Sequence, residues 1–227
     1  MLVFRGATAA LVVTGTLPRS GGGGYARGMR KVVVSVLTSL DGYYEGVGKD
    51  LSVMPFEDAF NTHNLELLRR ADTLVYGSTW FEDNWNAWLA VAADDSADER
   101  DHEIASIVTS IDGVVISDSY TIDPDAPWAA TTRVVTRADG PAEIRRLKEQ
   151  TGGDLLLFGS ATTWNPLLEA GLVDELIVLV GSALLGDGSK VYSGPRAALR
   201  LLDARVLPDS ELVELRYDAT GAQPRLP

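Results

Sequence analysis

The chain has no cysteine, which excludes a disulfide framework and any thiolate metal centre and suits a cytoplasmic setting. Histidine is almost as scarce. Only His63 and His102 occur, far apart and outside any H-E-x-x-H spacing, so no metal site is expected. Cations are in the minority: 20 Lys and Arg stand against 32 Asp and Glu, a formal net charge of −12. That balance repels nucleic-acid backbones and argues against such a partner. It leaves room for a small anionic ligand in a local pocket, because net charge does not describe a cleft. Membrane-length apolar runs, of about 20 residues, are also missing.

Three familiar nucleotide and hydrolase motifs are absent too. No G-x-G-x-x-G follows the first predicted strand, where a dinucleotide fold of the doubly wound type needs it. The stretch GSALLGDGSK looks like a P-loop, but Asp187 stands where the phosphate-binding lysine is required, and a carboxylate there repels phosphate. There is no G-x-S-x-G elbow and so no hydrolase nucleophile of that kind.

What is present is an ordinary globular composition, 45% apolar over 227 residues, which fits one large domain. Residues 1–28 read differently from the rest. A short apolar stretch, a weak basic start and the four glycines at 21–24 describe an extension and flexible linker, too short to span a membrane and without a clean signal-cleavage site. The domain is expected over 29–219, beginning at Met29 with MRKVVVSVLT, and residues 220–227 form a tail.

From Met29 strands and helices alternate. Strands are predicted at Lys31–Thr38, Thr73–Tyr76, Val114–Ser117, Arg133–Thr136, Leu155–Phe158 and Leu176–Val180. Several are continuous apolar runs, as expected where both faces of a sheet are covered. Helices are predicted near 56–70, 99–110, 141–150 and 163–170. The third opens with Pro141 and Glu143, and the fourth stops at Gly171, both sound boundary signals. The tail alternates as ELVELRY after a turn at Pro208-Asp209, which predicts a hairpin with one solvated face. The sum is a three-layer α/β domain whose mixed, mostly parallel sheet ends in an antiparallel hairpin. There is no internal repeat.

Short loops of small residues follow four of the strands: TSLDGYYEG (38–46), YGSTW (76–80), ISDSY (116–120) and FGSATTW (158–164). In an open α/β sheet ligands bind beyond the carboxyl ends of strands, so these loops are candidates to share one cleft. Each also has a plain structural reading, as a turn, a helix cap or a tight connection. WFEDNWNAW places three tryptophans within nine residues. Near a cleft they would stack on a flat heterocycle; otherwise they form a packed lid or a dimer contact. The acidic run behind them reads as a solvated loop.

The carriers of a family resemblance are Ser39-Leu40-Asp41-Gly42, the Gly77-Ser78-Thr79-Trp80 turn, the Val114–Ser117 strand and, above all, Gly159-Ser160 followed by LLEAGLVDELIVLVGSALLGDG. From Met29 to Tyr217 the chain resembles the C-terminal reductase domain of bacterial riboflavin biosynthesis enzymes, which has the dihydrofolate reductase-like fold. The resemblance implies an NADPH-binding cleft and hydride transfer to a pyrimidine- or pterin-like ring, a homodimer, and no membrane partner. It implies that Gly159, Ser160, Ala161 and Thr162 take the pyrophosphate. Gly77, Ser78 and Thr79 would lie near the adenosine phosphate, Ser117 and Asp118 beside the ribose, and Thr38 would touch the cofactor. Asp41, or Glu57 or Asp58 in the next helix, would protonate or orient the ring nitrogen from a partly apolar cleft that raises its pKa. For Glu57 and Asp58 the plain alternative is the acidic first turn of a helix.

Three positions depart from the family pattern. Ser78 replaces an arginine and Asp118 a residue that is often basic, so NADPH should lose ground to NADH, since an acid repels a 2′-phosphate. Pro166 lacks an N–H, which predicts a late helix start near Thr163 and a loose phosphate loop. These departures also keep open a repurposed, non-catalytic member that binds a small molecule or partner without transferring hydride.

Overall fold

A computed structural model describes residues 30–221, so the expectations for 1–28 and 222–227 lie outside the described residues. Among the described residues ten strands and five α-helices run in the order β1 (Val32–Thr38), β2 (Tyr43–Glu45), α1 (Asp58–Leu68), β3 (Ala71–Gly77), α2 (Phe81–Ala92), α3 (Glu99–Val108), β4 (Asp112–Ile116), β5 (Thr132–Val135), α4 (Gly140–Lys148), β6 (Asp154–Phe158), α5 (Ala161–Glu169), β7 (Glu175–Val180), β8 (Ser189–Lys190), β9 (Arg200–Val206) and β10 (Val213–Asp218). Eight of the strands form one sheet in the order β5-β4-β3-β6-β1-β7-β10-β9; β2 and β8 form a separate ribbon.

All pairings from β5 to β7 are parallel, and β10 is antiparallel to both β7 and β9. The expected mixed sheet with an antiparallel tail is therefore what the chain builds. Strand β1 is buried along its whole length, as its uninterrupted apolar run demands of a central parallel strand. Its alternate side chains feed two cores. Val32, Val34 and Val36 pack with Ile144, Trp164 and Leu168 of α4 and α5. Val33 and Leu37 pack with Phe60, Trp88 and Ile104 of α1, α2 and α3 on the other face. Each such side chain, fully buried, contributes about 1.5–3 kcal/mol.

Sequence patterning missed α2 and the β2–β8 ribbon. Trp85 and Trp88 of this helix are buried, 3% and 1% exposed. The late start expected for α5 is corrected as well: the helix begins at Ala161 and holds Pro166 inside it. Pro166 and Thr162, whose carbonyl loses its helical donor, are both exposed. Water can satisfy that carbonyl, so the helix tolerates the proline.

Candidate functional site

Because β1, β3, β4 and β6 are parallel neighbours, the loops that follow them emerge at one edge of the sheet. The order of the chain reverses here: it leaves β1, builds outward through β3, β4 and β5, then returns to place β6 between β3 and β1. The last turn of β6 carries unusual backbone. Gly159 has φ 62° and Ser160 has φ 53°, two successive left-handed residues. The second is costly for any residue with a Cβ and is a form of strain that collects at binding sites. This kink aims the start of α5 into the cleft. The N–H groups of Ala161 and Thr162 have no intrahelical acceptor there, and they sit at the positive end of the helix dipole.

The β3 loop closes on the same point. A Cβ on Gly77 would lie 2.6 Å from Ser160 Oγ and 2.7 Å from Thr163 Oγ1, so only glycine lets the two loops touch. Ser160 Oγ and Thr163 Oγ1 are themselves 2.7 Å apart and hydrogen-bonded. One loop further along, Ser117 Oγ donates to Ser78 Oγ at 3.1 Å and accepts from the Tyr120 N–H at 3.2 Å. Gly77, Ser78, Thr79, Ser117, Asp118 and Gly159 to Thr162 are thus brought to one edge of the sheet.

Asp118 does not stand alone. The Arg137 N–H donates to Asp118 Oδ1 at 2.8 Å, and Arg137 Nε lies 3.5 Å from Oδ2. Arg137 follows β5, 19 residues later in the chain, so its charge at this end of the cleft could not be read from the β4 loop. Both side chains are more than half exposed, and an exposed pair of this kind is weak and exchangeable.

Beside the kink lies a pocket of ≈ 80 Å³, open to solvent, whose lining includes Tyr44, Phe56, Phe60, Trp80 and Phe158. Glu45 and Ser35 also line it. Glu45 is 4% exposed, and Ser35 Oγ is buried with no hydrogen-bond partner in the protein. Neither was singled out from the sequence. The signal was present for Glu45, an acid between Tyr43-Tyr44 and Gly46, but without β2 its burial was invisible.

Four expected site residues take other roles. Thr38 is 3% exposed, and its hydroxyl donates to the Ser39 carbonyl at 2.7 Å. Asp41 Oδ1 accepts from Ser39 Oγ at 2.7 Å and from the Leu185 N–H at 3.1 Å; Oδ2 accepts from the Gly186 N–H at 2.7 Å. The raised pKa expected for it is therefore corrected. The Ser39 hydroxyl and then the Gly186 N–H pull its carboxyl down to about 2, because donors to the charged form favour it. Asp41 clamps the β1 loop to the loop after β7. Glu57 caps no α1 N–H with its side chain and instead accepts from Ser210 Oγ at 2.5 Å. Asp58, exposed in the first turn of α1, pairs with Arg100 at 3.4 Å.

The family model for the RibD C-terminal domain matches residues 30–213, and the chain belongs to that family. It is 24% identical over 197 residues to the uncharacterized protein YyaP of Bacillus subtilis (strain 168), covering 85% of this chain and 96% of that one. Among solved structures it is similar to RibD of Acinetobacter baumannii, with a TM-score of 0.63 and 18% identity over 84% of this chain and 58% of that one. It is also similar to dihydrofolate reductase from Enterococcus faecalis complexed with NADP(H), with a TM-score of 0.50 and 12% identity over 83% and 95% of the two chains. The fold is dihydrofolate reductase-like.

Proposed function

From membership of the RibD C-terminal domain family we propose that this chain is an NAD(P)H-dependent reductase acting on a small planar heterocycle. The observation that carries this reading is the left-handed kink at Gly159-Ser160, which aims the start of α5 at the Gly77 loop beside an aromatic-lined pocket. The residues fit a dinucleotide. Unpaired N–H groups at the start of α5 would hold a pyrophosphate, the serines at 78 and 117 a ribose, and the buried Ser35 hydroxyl a polar atom of the ring system. When bound, the dinucleotide would supply the hydride.

The chain's own contribution is positioning, exclusion of water and proton handling. Trp80, Phe158 and Phe56 offer flat apolar walls on which a heterocycle can lie. Glu45 takes the part first expected of Asp41: it is buried, lines the pocket and can orient or protonate a ring nitrogen. Asp41 holds the loop beneath it.

Titration of the full chain with NADPH and with NADH, read by quenching of tryptophan fluorescence, tests the reading. Ser78 and Asp118 weaken selection for a 2′-phosphate, while Arg137 supplies one cation, so the two dissociation constants should agree within about tenfold. Absence of saturable binding by either would defeat the proposal. The engagement of Asp41 by backbone donors favours one second reading, a member that binds the dinucleotide and a small molecule without hydride transfer. Saturable binding without cofactor oxidation in the presence of any heterocycle would select it.

A homodimer is part of the same proposal. Edge strand β9 exposes Leu201, Leu202 and Val206 at 54%, 48% and 63%. An antiparallel meeting of two copies about Ala204 would set Asp203 opposite Arg205 of the second copy and Leu202 opposite Val206. Among the described residues no helix is long and apolar enough to cross a membrane, and the proposed setting is the cytoplasm.

A further inference from the structure

Past Trp80, Phe158 and Ser160, which line both spaces, the cleft continues into a second pocket between β3 and α2. Three of its lining residues bring a polar atom that is buried and has no hydrogen-bond partner in the protein: Tyr76 Oη, Asn84 Oδ1 and Trp88 Nε1. Trp88 is 1% exposed and Asn84 6%. They stand four residues apart on α2, and so share one face of the helix, one turn from each other. Tyr76 comes from the strand on which that face packs. Buried polar atoms are almost always paired, and a buried indole N–H usually finds an acceptor. Three unpaired atoms on residues that line one pocket point to a ligand that pairs them.

We infer that this second pocket binds an uncharged planar group carrying a carbonyl beside an N–H, the edge of a lactam or a carboxamide. The carbonyl oxygen has two lone pairs and can accept from Trp88 Nε1–H and from the Tyr76 hydroxyl; the adjacent N–H can donate to Asn84 Oδ1. Neutrality follows from the lining, which contains no lysine, arginine, histidine, aspartate or glutamate. A charged group would sit there without a counter-ion at a large desolvation cost. Trp80, Phe81 and Phe158 supply flat apolar walls. The pocket is partly open, and its volume, ≈ 60 Å³, exceeds the roughly 10–15 Å³ that one water requires and suits a group of a few heavy atoms. Assigning that group to the substrate rests on the reductase reading; the site itself does not. A lactam would come from a pyrimidine- or pterin-like substrate, a carboxamide from the nicotinamide of the cofactor.

The test uses the full chain without dinucleotide, titrated separately with uracil and with nicotinamide by ligand-observed NMR. Tyr76→Phe deletes only the hydroxyl, Asn84→Leu replaces the amide with an apolar group of similar size, and Trp88→Phe removes the indole N–H together with ring volume. Each should weaken the probe that occupies the pocket by about tenfold, the effect of one lost hydrogen bond to a desolvated partner. Tyr76→Phe and Asn84→Leu should melt at an unchanged or higher temperature, since each removes an unpaired buried atom without emptying space; Trp88→Phe, which also leaves a cavity, should melt lower. That combination is one a purely structural role would not produce. Loss confined to uracil assigns the pocket to the substrate, and loss confined to nicotinamide assigns it to the cofactor; either supports the site. Failure of both probes to bind the unaltered chain, or equal binding by all three variants, overturns it. The NADPH titration is read independently: its failure would defeat the reductase reading and leave the uracil result standing.

Discussion

Asp41 and Glu45 lie four residues apart and meet opposite surroundings. The first is fixed by three donors that hold it ionised, with its pKa at about 2. The second is buried against Tyr44, whose hydroxyl burial and then the Glu45 carboxylate push upward in pKa. If Glu45 is the proton-handling group, Glu45→Gln should lower turnover by roughly 10²- to 10⁴-fold while leaving the dinucleotide dissociation constant near its original value. Asp41→Asn should instead loosen the loop, which would appear as a lower melting temperature with no new inflection in the pH–rate profile. At the other end of the cleft, Asp118→Asn frees Arg137 from its partner. NADPH should then bind more tightly relative to NADH, by about tenfold, as expected where an arginine gains a phosphate. An unchanged ratio would show that Arg137 does not reach the 2′ position.

Helix α5 illustrates how an element reconciles conflicting residues. Its start is forced into the cleft by two left-handed residues, and its middle contains a proline. The inward face, with Trp164, Leu167 and Leu168 each 2% exposed or less, anchors the helix, while Pro166 points to solvent. Restoring the missing N–H should therefore stabilise it modestly. Pro166→Ala is expected to raise unfolding stability by about 1 kcal/mol, less than the ~3 kcal/mol of a buried interior proline, as read by urea denaturation. No change in dinucleotide affinity should accompany it, because the start of α5 already sits at Ala161.

Across the whole molecule the antiparallel end of the sheet carries its own electrostatic device. Glu214 of β10 is fully buried on the face covered by α1. Arg205 Nη2 lies 2.8 Å and His63 Nδ1 3.2 Å from its Oε2, with Arg216 Nε 3.6 Å from Oε1. Burial acts to raise its pKa, but His63 and Arg205 outweigh it and bring the value down to about 2, from an ordinary 4.5. The sign follows: a depressed carboxylate contributes stability above pH 4.5 that disappears as the pH falls toward 2, at most about 3 kcal/mol. Acid denaturation of the Glu214→Gln variant should start from a lower neutral-pH stability and show a flatter decline over that interval. At the neighbouring edge, Leu202→Asp or Val206→Lys should convert the proposed dimer to a monomer by light scattering, since charges on an edge strand oppose strand-to-strand pairing.

Much of this was readable along the chain. All six parallel strands were located to within a few residues, several of them by continuous apolar runs, because burial on both faces leaves a strand no room for polar alternation. Gly159-Ser160 marked a loop at the end of β6, though not its left-handed backbone, and the long block behind it pointed to the family. Local sequence did not decide which polar groups are free. Asp41 reads as a site residue, yet backbone donors from the loop after β7 occupy it. Ser35, Glu45 and Arg137 read as strand and loop filler, yet the sheet order carries them to the cleft. The same holds for Tyr76, Asn84 and Trp88, whose periodicity marks them as core. Periodicity reports which face is buried; only the tertiary structure decides whether a buried polar atom meets a partner there or waits for one.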